Sequence, residues 1–227
     1  MIVHVNEPVT LIGGAAVTKA RINRAVALAP GVVAADGGAD AALDHGVTPE
    51  AVIGDFDSLP AETRAALSPD TLHHIAEQDS TDFDKCLRNI EAPLILGLGF
   101  LGARVDHQLS VFNRLAARAD RPCILIGRED VVFHAPPRLA LDLAAGTRVS
   151  LFPLRPVTGQ STGLRWPIHG IDFTPGGRVG TSNEALATEV KLEMDGPGML
   201  VILPRDCLDA AVRAVLAAGS APSTVRA

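Results

Sequence analysis

The chain is short of what several functions require. Its 227 residues hold only three cysteines, Cys86, Cys123 and Cys207, far apart and forming no CxxC pair. An odd, scattered set of thiols reads as reduced structural cysteine in a cytosolic protein, and it argues against a disulfide scaffold or a zinc site. Positive charge is scarce too: 20 lysines and arginines stand against 26 acids, a formal charge of −6. A general nucleic-acid binder would show a basic face and is disfavoured on that balance. A nucleotide held by a metal and a few local cations is not. No stretch approaches the ~18 apolar residues of a membrane span. The opening "MIVHVNEPVTLIGGA" also lacks a basic region followed by a long apolar block, so no signal peptide is expected. The sequence reads as a soluble, cytoplasmic protein with no membrane partner.

What is present can fold. Hydrophobic residues make up 47% and charged residues 20%, enough for a buried core in one large domain or two ordinary ones. Residues 1–128 alternate short apolar runs with amphipathic stretches. "VTLIGG", "GVVAADGGA", "AVIGDFDS", "TLHHI", "PLILGLG" and "RPCILIG" read as strands, with helices between them. The helix "RVDHQLSVFNRLAARA" is the clearest, with Val105, Leu109, Phe112, Leu115 and Ala119 at helical spacing as its apolar stripe. Such alternation predicts an α/β domain, a parallel sheet with helices on both faces. Over residues 129–227 the texture changes to short β-rich runs, "VVFHA", "RLALDL", "TRVSLFPL", "EVKLEMDG" and "GMLVILP", separated by Pro and Gly turns. That is the pattern of an all-β antiparallel sandwich. The tail "PRDCLDAAVRAVLAAG" returns to helix and ends in small residues expected to fray.

The stretch "VIGDFDSLP" carries the chemical question. Asp55 and Asp57 stand one residue apart at a strand end, and two such charges repel by roughly 4 kcal/mol at an effective dielectric near 20. Asp36 follows another strand and Asp82 opens a helix. In an open parallel sheet, ligands bind outside the carboxyl ends of the strands. Each acid has a plain local use: Asp36 in an Asx turn, Asp57 as a helix cap, Asp82 as a first-turn acid behind an Asp79 cap. Four on one rim exceed what capping needs. Hard oxygen ligands of this kind suit Mg²⁺, which keeps waters and borrows phosphate oxygens.

The glycines agree. Gly13-Gly14, Gly37-Gly38 and Gly97, Gly99, Gly102 each follow a strand, where backbone N–H groups can approach an anion. There is no GxxxxGK[ST], so this is no P-loop enzyme. Lys85 and Arg104 are the cations of the best-marked segments, although Lys85 also has Asp82 one helical turn away as a partner. Asp106, Ser110 and Asn113 share one face of their helix, with His107 beside them.

Taken together, "ADGGA", "GDFDS", "QDSTDFDKCL", Gly102 to His107, "GLRWP" and "TSNE" resemble the ordered motifs of thiamine pyrophosphokinases, over roughly residues 10 to 203. The resemblance implies an N-terminal α/β domain, a C-terminal β-sandwich and a homodimer with active sites at the subunit interface. It implies transfer of a pyrophosphoryl group from ATP to the hydroxyethyl oxygen of thiamine, giving thiamine diphosphate and AMP. By the same resemblance, Asp36, Asp55, Asp57 and Asp82 organise Mg²⁺ and the triphosphate. Gln78, Thr81 and Lys85 lie against the nucleotide, and Asp106 near the substrates. Trp166, Ser182 and Asn183 face thiamine across the dimer. Trp166 is the one tryptophan of a chain without tyrosine, and it suits a cation–π contact with the thiazolium worth roughly 0.5–2 kcal/mol.

Two other readings compete with this one. A strand followed by "DFDS" also has the shape of a haloacid-dehalogenase-like nucleophile motif, which would make Asp55 an aspartyl-phosphate. That strand is third rather than first, and no later strand ends in paired acids. A non-catalytic thiamine- or nucleotide-binding module would be expected to have lost an acid, and all four are present.

Overall fold

A computed structural model describes residues 1–102 and 104–220. The chain divides into two compact units, Met1–Glu129 and the residues from Asp130 onward. Ala103, inside one of the motifs above, and residues 221–227, on which the expected fraying falls, lie outside the described residues.

The first unit runs β1 (Val3–His4), β2 (Val9–Ile12), α1 (Lys19–Leu28), β3 (Gly31–Ala35), α2 (Gly38–Asp44), β4 (Ala51–Gly54), α3 (Ala61–Ala66) and β5 (Leu72–His74). It continues with α4 (Asp82–Asn89), β6 (Ile90–Glu91), β7 (Ile95–Leu98), α5 (Val105–Ala117) and β8 (Cys123–Ile126). Its ladders are parallel: β3–β4–β5 on one side, and β2–β7–β8 on the other. β2 lies beside β3. Every residue of β2, β4, β7 and β8 is buried. A strand covered on both faces has no use for alternation, which is why these segments read as continuous apolar runs. Ile12, Ile22, Val32 and Ala42 form one core cluster, and Ala34, Ala39, Val52, Leu59 and Leu67 another. The stretch before Val9, unassigned from sequence, supplies β1, which pairs parallel with β6.

One expectation fails in part in this unit. The apolar stripe on α5 is buried only in part: Val105 is 73% and Leu109 62% exposed, while Leu115 is buried. Burial begins only at Val111, with Leu115 and Ala116. The first turns of the helix run along the rim of a cavity, and among the described residues no element covers them. Helical spacing reports a face but not whether a partner reaches it.

The second unit holds β9 (Asp130–His134), β10 (Arg138–Asp142), β11 (Arg148–Pro153), β12 (Gly159–Thr162), β13 (Gly180–Glu184), β14 (Glu189–Met194), β15 (Met199–Pro204) and α6 (Leu208–Ser220). All its named ladders are antiparallel, in the orders β13–β11–β15–β9 and β10–β14–β12. β10 and β14 bury alternate residues, the mark of a sheet with one covered face. β12 and β13 fall outside the runs read as strands; "GQST" and "GTSNE" are polar and carry no such alternation. The tail helix α6 lies against β10 and buries Leu208, Ala211, Val212, Ala214 and Val215. Each fully buried Leu or Val there contributes about 1.5–3 kcal/mol.

Candidate active site

The C-terminal ends of β2, β3, β4 and β7 open into a cavity of about 580 Å³. Its wall includes Gly13, Gly14, Asp36, Gly37, Asp55, Thr81, Asp82, Lys85 and Arg104. Strand ends meet there at close backbone approach. A Cβ on Gly38 would come 2.0 Å from the Ile12 carbonyl oxygen. At Gly99, φ is +75° and a Cβ would stand 2.3 Å from the Gly13 oxygen. These two glycines are required by packing between neighbouring turns, a different reason from the anion approach expected of them. Gly14 has open space on its cavity side, its nearest neighbours being 3.9 Å or more from a Cβ.

Three of the four acids converge. Asp36, Asp55 and Asp57 each offer an oxygen within 4.8 Å of the others. Asp36 is 2% exposed and its φ of 43° lies in the left-handed region, one that Asp and Asn tolerate better than most residues. Its Oδ2 accepts from the Ser58 N–H at 3.1 Å, across 22 positions, so the side chain is not spent on an Asx turn; the local turn is made by its carbonyl, which accepts from the Ala39 N–H at 3.0 Å. Its Oδ1 is buried and, among the described residues, has no hydrogen-bond partner. Burial, reinforced by Asp82 and Asp57 and opposed by the Ser58 N–H, raises the Asp36 carboxyl to about 6. An orphaned buried oxygen beside two further carboxylates is the donor set of a hard cation, and these residues fit Mg²⁺. Phe56, between the two acids, is held at φ 65°, a strained state costing of order 1–3 kcal/mol. The Arg64 guanidinium 5.5 Å from its ring and His74 at 5.4 Å pin it there. Asp57 does not cap α3: its Oδ1 accepts from the Ser58 hydroxyl at 2.9 Å, and α3 starts from Pro60 without a side-chain cap.

Asp82 is not of that group. Lys85, 1% exposed, donates to Asp55 Oδ2 at 2.7 Å and to Asp82 Oδ1 at 3.1 Å. Burial works against the lysine charge, but the two carboxylates outweigh it and hold the amine above its usual value. The Lys85 hydrogen bond pulls Asp55 below the ordinary carboxylate range. Asp82 moves the other way because its burial exceeds what Lys85 returns. Lys85 thus has both the helical partner expected from its spacing and a second one 30 residues away. Gln78 Nε2 donates to Asp55 Oδ2 at 3.2 Å. α4 is capped by Thr81, whose hydroxyl accepts from the Asp84 N–H at 3.4 Å, and not by Asp79. On the opposite rim, Arg104 grips Asp106 through two N–H donors at 3.2 and 2.6 Å and draws that carboxyl down to about 2.

Trp166, Ser182 and Asn183 belong to the second unit. Trp166 is 56% exposed, with the Arg165 guanidinium 5.6 Å from its ring. Asn183 is buried beneath it: Nδ2 donates to the Trp166 carbonyl at 2.7 Å, and Oδ1 accepts from the N–H groups of Trp166 at 3.2 Å and Glu184 at 2.8 Å. Ser182 sits at φ 60° and donates its N–H to the Ser150 hydroxyl at 3.0 Å. Sequence reasoning passed over several residues of the first site. Ser58, inside "GDFDS", and Phe100, which stacks on Phe83 at 4.8 Å, both line the cavity. Arg88 and Glu77, which hold the loop before α4, carry no motif at all.

Comparison with known proteins bears on the whole of this arrangement. The profile described as "Thiamin pyrophosphokinase, catalytic domain" matches residues 22–125, and "Thiamin pyrophosphokinase, vitamin B1 binding domain" matches residues 135–198. The chain is similar to thiamine pyrophosphokinase 1 of Oryza sativa subsp. japonica, with 27% identity over 65% of this chain and 63% of the relative. It therefore spans a little under two thirds of the length of that relative. It is similar to thiamine pyrophosphokinase of Bacillus subtilis at 26% identity, over 68% of this chain and 78% of that one. Among solved structures, a thiamin pyrophosphokinase from Geobacillus thermodenitrificans superposes with a TM-score of 0.71 at 26% identity, covering 87% of this chain and 96% of that one. With both domain profiles matched in order over the two units, the chain belongs to the thiamin pyrophosphokinase family.

Proposed function

We propose that the protein transfers a pyrophosphoryl group from ATP to the hydroxyethyl oxygen of thiamine, forming thiamine diphosphate and AMP. The observation that carries this reading is the Asp36–Asp55–Asp57 group with its unpartnered Asp36 oxygen, at the mouth of a glycine-rimmed cavity. Asp36, Asp55 and Asp57 would hold Mg²⁺, which would supply charge neutralisation on the phosphate oxygens. The protein's own groups do the rest by position. Lys85 holds the Asp55 carboxyl low and fixes its position, and offsets part of the burial of Asp82. Gln78 and Thr81 lie against the nucleotide; Gly13, Gly14 and Gly37 present backbone to the cavity, and Gly14 leaves room there for phosphate. Arg104 supplies a cation on the far rim and Asp106, kept anionic by it, faces the substrates. The proton released from the thiamine hydroxyl passes to an aspartate of the cluster.

In the same reading, Trp166 offers its ring to thiamine, with Ser182 and Asn183 in support. The site is completed across a homodimer. Uncovered apolar side chains support that assembly: Val105 and Leu109 in the first unit, Trp166 and Leu186 in the second. We further read the first unit's helices as covering both sheet faces and the second unit's sheets as the layers of a sandwich. Among the described residues no helix is long and apolar enough to cross a membrane, which fits the cytoplasmic reading.

The test is a chromatographic product analysis with thiamine, ATP and Mg²⁺, omitting each in turn. AMP and thiamine diphosphate in equal amounts, only with all three present, is the expected result. ADP with thiamine monophosphate overturns the pyrophosphoryl reading. A monomeric mass by light scattering overturns the shared site.

A further inference from the structure

We propose that Arg88 is a positioning residue for the nucleotide side of the cavity, acting through Glu77 and Ser80 on Gln78; the inference rests on the phosphoryl-transfer reading above. Arg88 stands in the last turn of α4, away from the cavity, while the first turn of the same helix carries Asp82 and Lys85. Its guanidinium reaches back along the helix. One nitrogen donates both to the Glu77 carboxylate and, at 3.0 Å, to the Ser80 hydroxyl. Ser80 donates in turn to the same Glu77 oxygen at 2.5 Å. The three side chains thus close the loop between β5 and α4 onto α4 itself.

The residues enclosed by that ring are the ones the site uses. Gln78, between Glu77 and Ser80, reaches Asp55 at 3.2 Å, and Ser80 and Thr81 line the cavity. Gln78 and Asp79 are themselves exposed, so no packing of their own fixes the loop. Arg88 is anchored from the other side: its buried Nε faces Asp84 Oδ2 at 3.3 Å, without the alignment of a hydrogen bond. The nearly buried Asp84 accepts from Arg118, the residue following α5, at 3.0 Å. A planar fork shared among charged oxygens holds direction as well as charge. A lysine has no such geometry.

The test compares wild type with R88A, R88K, E77Q and the E77Q/R88A double variant. KM for ATP, KM for thiamine, kcat and Tm are measured, with calorimetric binding of a non-hydrolysable ATP analogue in Mg²⁺. Loss of the loop anchor is expected to raise KM for ATP about ten-fold in R88A while KM for thiamine stays put. R88K should recover only part of this, and the double variant should be no worse than R88A, because both act through one contact. E77Q separates anchoring from charge masking. If Arg88 merely neutralised a carboxylate near the phosphates, E77Q would bind ATP more tightly; anchoring requires weaker binding. Should R88A fail to fold, E77Q alone decides by that criterion. Loss of Tm and kcat with both KM values unchanged overturns the proposal, as does unaltered analogue binding in the variants. If wild type forms no thiamine diphosphate, the reaction reading fails by itself. The analogue titration then still decides on Arg88: weaker binding in the variants upholds it, and equal or absent binding overturns it.

Discussion

The two units solve opposite problems. In the first, the strand ends beside the cavity gather charge that, among the described residues, is left uncompensated: three aspartates with oxygens within 4.8 Å, one of those oxygens buried without a partner, and a lysine shared between Asp55 and Asp82. Around Trp166 in the second, the backbone is paired. Asn183 bonds the Trp166 N–H and carbonyl and the Glu184 N–H, and what remains exposed is the indole, with the Arg165 guanidinium 5.6 Å from its ring. An unbalanced charge cluster is kept in a fold only where a counter-ion restores the balance, since like charges and orphaned oxygens otherwise cost stability. A saturated backbone under an exposed indole is instead a platform, held still so that binding need not order it.

Replacing Asp55 by Asn tests this contrast hardest. It removes a cluster oxygen and the anchor of Lys85 together, so turnover should fall by about 10³-fold or more, measured as AMP release at saturating substrates. A drop of less than ten-fold would mean the cluster is not where charge develops. Trp166→Ala is the matching change in the platform. KM for thiamine should rise about ten-fold, from a lost cation–π contact of roughly 0.5–2 kcal/mol plus stacking area, with KM for ATP unmoved. Equal changes in both constants would break the separation of roles. Asn183→Ala should cost about 1–3 kcal/mol of stability by stranding the Trp166 and Glu184 backbone groups, read from denaturant unfolding.

A smaller effect follows from Asp36. Its folded value of about 6 lies above its ordinary 3.8, so between those values the folded state holds more proton than the unfolded one. Stability of the metal-free protein therefore falls as pH rises from about 4 through 6. Asp36→Asn, which keeps the left-handed backbone and the acceptor for Ser58, should remove that decline and raise Tm at pH 7.5 by about 5 °C. Mg²⁺ should raise the wild-type Tm at pH 7.5 more than at pH 5, and should do less for the variant. A Tm that rises between pH 4 and 6 without metal would contradict the assignment.

What was legible from sequence follows the same division. Asp36, Asp55 and Asp57 could be read because each closes an apolar run, and a parallel sheet sends all such ends to one edge. The second contact of Lys85 was not legible, since Asp55 lies 30 residues away and only the fold joins them. The Arg88–Glu77 pair, 11 residues apart across a loop, has no periodic signature either. α5 is legible as a helix, but spacing alone does not show that the first turns of its apolar stripe are left uncovered. β13 carries Ser182 and Asn183 on a short polar strand, where alternation gives no signal. At β13 the motif pointed to function where no pattern pointed to structure.

The central claim is that the acidic cluster directs attack to the β-phosphorus of ATP. It is tested most directly by supplying ATP labelled at the β-phosphate and separating the products of a single turnover. The account predicts label in thiamine diphosphate, an unlabelled AMP, and loss of both products when Asp55 is changed to Asn. Label retained in ADP, with thiamine monophosphate formed, would contradict it.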